Sequence, residues 1–157
     1  MILKSCALGM ATLFGVPLAK VQQVEAQVYS LAANPQEAKD FFVVIAIESA
    51  FNPKALNPSG AAGLSQLTEI GIAEVRSKGR VRCTLTASPN TPLGNLEHGF
   101  CYFKLMRELQ GGDVQMALVS YNGGGTKAQR FRETLRLPDE TAQYLAKFNY
   151  LRRYVCR

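Results

Sequence analysis

Residues 41–66 read FFVVIAIESAFNPKALNPSGAAGLSQ, and the change of character at Glu48 decides how the chain folds. Phe41 to Ile47 is an unbroken apolar run that ends in a carboxylate. At helical spacing Phe41, Ile45 and Glu48 share one stripe, and the rest of the run is apolar on most sides. That pattern predicts a helix lying deep in a core. Asn34-Pro35 supplies its start, with Asn34 as N-cap and Pro35 at the first helical position. Asn52-Pro53 stops it near Ala50, because a residue before proline is pushed out of the helical region. A carboxyl group at the C-terminal end of a buried helix is disfavoured in its charged form twice. Water is lost, and the helix dipole presents its negative end. The expectation is an acid that keeps its proton near neutral pH. Cleavage of a glycosidic bond needs such a group, since the leaving oxygen must be protonated. The plain alternative is a helix that ends here with Glu48 facing water. The helix pattern by itself favours that alternative.

Outward from this stretch the periodicity stays helical. A first helix is predicted over Lys20 to Ala33. Asn52 to Ala62 holds Pro53, Pro58 and Gly60 and reads as a loop, with room for a short β-hairpin. A third helix is predicted from Gly63 or Leu64, with Leu64, Leu67 and Ile70 near one face, weakened by Gly71. Gly79 to Leu93 is an irregular connection. Leu96, Phe100, Phe103, Met106 and Leu109 mark a fourth helix, closed by Gly111-Gly112. Asp113 opens a short helix through Tyr121, and Gly123-Gly124-Gly125 forces a turn. Lys127 to Leu135 predicts another helix. Pro138-Asp139-Glu140 opens the last, with acids at its positive end and Tyr144, Phe148, Leu151 and Val155 as its apolar stripe. The predicted fold class is all-α, about seven helices with at most a minimal β-hairpin, in one compact domain.

The 157 residues suffice for one real core, and 47% hydrophobic content excludes a disordered chain. No apolar stretch reads securely as a membrane span. The net charge of +6 favours an anionic partner: nucleic acid, a membrane surface or a cell-wall polymer. The positive charges are scattered, without a Lys/Arg block interleaved with aromatics, so nucleic acid is not expected. Lys4 precedes a small, apolar, uncharged run from Ser5 to Ala19, which Lys20 ends. That is the shape of a secretory signal. Residues 1–19 are therefore predicted to be a leader and residues 20–157 the domain. Cleavage is placed after Pro17-Leu18-Ala19 or near Ala26. The alternative is a buried N-terminal helix. Cys6 would leave with a leader. Cys83 and Cys101 bracket a polar, proline-containing loop and are placed to bridge, while Cys156 competes for either. Three buried thiols are the other reading. Metal binding is not expected, because the cysteines are widely spaced and His98 is the only histidine. No cofactor is implied.

Four elements then occur in order: Glu48-Ser49, Gly63-Leu64-Ser65-Gln66, Ser120-Tyr121-Asn122-Gly123-Gly124, and Glu140-Thr141-Ala142-Gln143-Tyr144. In kind, order and spacing they closely resemble the soluble lytic transglycosylase family, built on a goose-type lysozyme fold. The resemblance runs roughly from Pro35 to Tyr150. It implies a compact lysozyme-like domain acting on a peptidoglycan glycan strand in the periplasm or cell envelope. It makes Glu48 the single catalytic acid and base, attacking through the muramoyl 6-hydroxyl to leave a 1,6-anhydro end. It implies that Tyr121 and Tyr144 hold the Glu48 carboxyl. Gln66 and Asn122 would bind acetamido and hydroxyl groups, Asn57 would polarise the muramoyl acetamide, and Ser49 would support Glu48 or the turn after it. Such enzymes also suggest partners in a secretion or conjugation machine or a phage-entry apparatus. Three departures stand out. Ser65 replaces a methionine, removing an apolar contact to the sugar. Asn57 stands where serine is frequent. Leu67-Thr68-Glu69 replaces the usual Met-Pro. Asp113, Glu69, Glu74 and Glu97 are candidates for a second carboxylate, which this reaction does not need. His98 reads as a packed or surface histidine, and Arg152, Arg153 and Arg157 as a solvated basic end. Two rivals follow: a goose-type lysozyme hydrolysing the same bond, and a glycan-binding scaffold of low activity.

Overall fold

The helix predicted over residues 35–50 is the axis of the molecule. In the computed structural model, which describes residues 6–77 and 81–157, it is α3, Pro35–Ser49. Its numbering follows two earlier helices, α1 (Cys6–Phe14) and α2 (Leu18–Leu31). The Asn34 side chain accepts from the Glu37 N–H at 2.8 Å, and Pro35 occupies the first turn. Every side chain from Phe41 to Ala46 is buried. The helix is closed by Ala50 in a left-handed conformation, φ 47°, with its N–H on the Ala46 carbonyl. Phe51 follows at φ 62° and turns its ring into the core, 5.2 Å from that of Phe42. Two successive non-glycine residues in this region cost on the order of 1 kcal/mol each. Burial of Phe51 offsets that cost, since a fully buried Phe contributes about 2–3 kcal/mol.

The remaining helices are α4 (Glu69–Ser77), α5 (Pro92–Leu109), α6 (Val114–Thr134) and α7 (Asp139–Tyr150), which runs into a π-helical turn at Leu151–Val155. Helix α3 packs against α2, α7 and the terminal turn, while α5 packs against α2, α4 and α6. Phe41 joins α3 to α5 through the rings of Phe100 and Phe103, 5.4 and 5.9 Å away. The predicted all-α architecture is therefore the observed one. The place of a hairpin is taken by two isolated bridges, Leu56 to Ala62 and Ala62 to Leu67. Among the described residues no helix is long and apolar enough to cross a membrane.

One boundary differs from expectation. The third helix starts at Glu69 rather than Gly63, because Gly63 at φ 78° and Gln66 at φ 49° hold residues 62–67 in a tight loop. The two helices expected on either side of Gly123–Gly125 are the two halves of α6, which meet at a non-helical Gly124 (φ 78°, ψ 168°) as the glycine turn predicts. Residues 6–14, which fall within the leader expected above, form α1. Cys6, Ala7, Met10 and Ala11 of α1 are buried, and Cys6 is bridged to Cys156. The second bridge joins Cys83 and Cys101. Lys4, Ser5 and Gly79, named above, lie outside the described residues. Arg152 is not a free basic end: its guanidinium pairs with buried Asp40 at 2.7 Å.

Candidate active site

Helix α3 delivers Glu48 to the floor of a cleft lined by Asn57, Ser59, Ala61, Gln66, Thr68, Tyr121, Asn122 and Glu140. Four separate segments converge there: the end of α3, the loop after it, the middle of α6 and the start of α7. Glu48 is only partly exposed. The buried Tyr144 hydroxyl donates to its Oε1 at 2.7 Å. Burial raises the Glu48 carboxyl to a pKa of about 7, against the smaller opposing effect of the Tyr144 hydrogen bond. The group is thus half-protonated near neutrality and held in one rotamer.

Tyr121 takes a different place from the one expected. It is buried at the cleft and close enough to Glu48 to feel its charge, but its hydroxyl donates to the Ser65 carbonyl at 2.8 Å. It fixes the loop that carries Gln66 rather than the carboxyl itself. Tyr144 alone makes the hydrogen bond predicted for both.

The loop is organised by its own amides. Gln66 donates through Nε2 to the carbonyls of Ala55 and Gly63, at 3.1 and 3.0 Å. Both donors are therefore engaged, and its Oε1 acceptor remains for a ligand's hydroxyl. Asn57 accepts the Ser59 N–H at 3.0 Å, so its carbonyl shapes the turn and its amide donors remain. Ser49 does not line the cleft. It is buried, with its hydroxyl on the Ile45 carbonyl.

The Ser65 substitution has a structural consequence different from the one anticipated. Ser65 is fully buried and faces α5, not the cleft. Its hydroxyl bonds the Asn95 carbonyl and Oδ1, and its N–H also donates to Asn95 Oδ1 at 2.8 Å. The Asn95 amide donates to the Ala62 carbonyl at 3.0 Å. Asn95, which the sequence reading passed over, clasps the loop to α5. Its signal was an asparagine beside Leu96, where the apolar face of that helix begins. Gly99 makes room, since a Cβ there would lie 2.3 Å from that of Ser65.

Of the proposed second carboxylates, Asp113, Glu69, Glu74 and Glu97 are absent from the cleft lining. Glu97 is buried elsewhere and holds Thr86 and Ala87. Glu140 does line the cleft, beyond its expected places in a motif and at the start of the last helix. His98 is buried, its Nδ1 2.7 Å from the Gly94 carbonyl, and it is not part of the cleft.

The profile of the family described as "Transglycosylase SLT domain" matches residues 29–142. Among solved structures, an inactive mutant of the lytic transglycosylase Slt from Pseudomonas aeruginosa superposes with a TM-score of 0.54 at 20% sequence identity. That match covers 99% of this chain and 22% of the other, so the chain spans about a fifth of the length of the protein it matches. At this identity the likeness speaks for the lysozyme-like fold. The family profile covers the segment that holds Glu48, Gln66, Tyr121 and Asn122 and ends two residues before Tyr144.

Proposed function

Because the chain belongs to the transglycosylase SLT domain family, we propose that it is a peptidoglycan lytic transglycosylase with Glu48 as its one acid and base. The observation that carries this reading is the Glu48 carboxyl, raised to about 7 by burial, held by Tyr144 and opening onto a cleft. Protonated, it gives its proton to the oxygen linking N-acetylmuramic acid to N-acetylglucosamine. As the carboxylate it then takes the proton of the muramoyl 6-hydroxyl. That oxygen bonds to C1, the glycosidic bond is broken, and a 1,6-anhydro end remains. Asn57 and Asn122 carry amide donors and Gln66 a free acceptor at the cleft, a mixed set suited to acetamido and hydroxyl groups.

A second reading, hydrolysis of the same bond, is favoured by Glu140, a second carboxylate at the cleft that could serve an attacking water. Digestion of sacculi in ¹⁸O-water, followed by mass spectrometry, separates the two. The transglycosylase gives anhydro ends without label, and the hydrolase gives labelled reducing ends. Glu48→Gln is expected to abolish both. Wild-type lysis by that variant removes Glu48 from the mechanism.

The proposal extends to location and use. Two disulfides support an oxidising compartment, hence the cell envelope, and the charge of +6 suits an anionic wall. We place the activity at local openings of the wall made for a secretion, conjugation or phage-entry apparatus, by analogy with the family. Failure of such an apparatus to assemble on gene deletion, rescued by wild type and not by Glu48→Gln, is the expected outcome.

A further inference from the structure

Behind Asn122 lies a chain of groups that the catalytic proposal does not use. Lys127 Nζ is 3.3 Å from the Thr141 hydroxyl, which is in turn 3.0 Å from Asn122 Oδ1. Thr141 is fully buried, and Lys127 and Asn122 are partly exposed. The direction of these bonds is forced by chemistry. An ammonium can only donate, so Thr141 Oγ1 accepts from Lys127. The hydroxyl keeps a second lone pair, but it is fully buried and Asn122 Oδ1 is its one acceptor among the described residues, so its proton goes there. The Asn122 amide therefore sets its carbonyl toward Thr141. Its Nδ2 donors, which make no hydrogen bond among the described residues, are left for the cleft that Asn122 lines.

The route of Lys127 to this position depends on Gly123. A Cβ at residue 123 would lie 2.2 Å from Lys127 Cδ and 2.3 Å from Cε. The lysine stem thus crosses the face of Gly123 that any other residue would fill. The Gly124 kink, at φ 78° and ψ 168°, separates Gly123 from the turn that carries Lys127.

The geometry points to Lys127 as a positioning residue that polarises Asn122, through Thr141, into a reader of a ligand's acceptor oxygen, the acetamido carbonyl of an amino sugar. The inference rests on the glycan-cleaving reading of the cleft and deepens it to substrate selection. Without the ammonium, Thr141 is free to accept from Asn122 Nδ2, and the amide can turn its carbonyl to the cleft. A site turned that way no longer favours an acetamido carbonyl. A de-N-acetylated sugar offers an ammonium instead of that carbonyl, so it distinguishes the two orientations.

The test measures binding as well as turnover. Tetrasaccharides of N-acetylglucosamine and of glucosamine are titrated into Glu48→Gln protein, alone and combined with Lys127→Met, Lys127→Arg or Gly123→Ala. The expected result is a preference for the acetylated ligand in Glu48→Gln. Lys127→Met should weaken acetylated binding about tenfold, the scale of one hydrogen bond, and lose the preference at unchanged thermal midpoint. Gly123→Ala should do the same, because its methyl group displaces only the mobile end of a lysine. Lys127→Arg should keep the preference. In the active protein Lys127→Met should raise KM more than it lowers kcat. If Lys127→Met binds both sugars as its parent does, or loses binding only together with its fold, the inference fails. Lysis by the Glu48 protein alongside such a result leaves the catalytic proposal standing. Absence of lysis together with the expected binding pattern removes catalysis and leaves the inference. Absence of any glycan binding overturns both.

Discussion

At the scale of single residues the molecule turns on the ionisation of Glu48. Its carboxyl titrates at about 7 in the fold against an ordinary value of 4.5. The first step of the proposed reaction needs the protonated form, so kcat/KM for wall lysis should fall as pH rises through about 7. Tyr144 favours the charged carboxylate, so Tyr144→Phe should move that falling limb to higher pH and lower kcat about tenfold, the scale of a hydrogen bond to a charged group. An unmoved limb in the pH profile would show that Tyr144 does not act on this carboxyl. Stability follows the same sign. A raised folded pKa means that the fold prefers the proton. The benefit is complete below 4.5 and is lost as pH rises toward 7. Glu48→Gln should therefore unfold at higher urea than wild type above pH 7, by up to about 3 kcal/mol. The two proteins should converge in acid. Glu48 stood out in sequence through the order and spacing of the four motifs around it, since the apolar run before it favoured a solvent-facing helix end by itself. The division of labour between the tyrosines was not. Both follow apolar helix faces, and only the packing of α6 against the loop and of α7 against α3 decides which hydroxyl reaches the carboxyl.

At the scale of elements, the helices with strong end signals were readable and the loop between them was not. Asn34-Pro35 and Asn52-Pro53 bounded α3 well, because capping and proline act locally. Residues 62–67 carry an apolar spacing like that of a helix, yet contacts with a distant helix override it. Asn95 of α5 supplies those contacts. Asn95→Ala should leave the buried Ser65 N–H without a partner and take one of two donors from the Ala62 carbonyl, which keeps the Leu67 N–H, costing about 2 kcal/mol in urea unfolding. It should also lower kcat/KM by loosening Gln66. Asn95→Asp keeps both acceptor contacts to Ser65 and should lose less. Equal stability of Asn95→Ala and wild type would mean that the clasp is dispensable. The break in α6 was legible: three successive glycines announced a turn, and Gly124 leaves the helical region between the two halves of the element.

For the whole molecule the decisive links join residues far apart in sequence. The Cys83–Cys101 bridge closes a short loop and is one of the pairings left open in sequence, where its partners flank a polar segment. The Cys6–Cys156 bridge spans a sequence separation of 150. The segment around Cys6 has the small, apolar composition that a leader would have. Its partners, Val155 and Cys156, lie at the other end of the sequence, where no local pattern reveals them. In the chain-entropy view the longer loop stabilises by about 5 kcal/mol and the shorter by about 3. Cys6→Ser should therefore lower stability more than Cys83→Ser under non-reducing conditions. A chain of residues 20–157 should lose still more, since α1 leaves the core with it. Denaturant titration of the three proteins gives the order, and a Cys83→Ser loss exceeding that of Cys6→Ser would contradict it.

The bridge that ties α1 to the terminal turn also sets how the domain responds to tension. A pull between residues 6 and 156 loads a covalent bond, and the helices carry none of the strain. Under such a load the fold would stretch little until a reductant cut that bond. Only then would the force reach α1 and begin to peel it away.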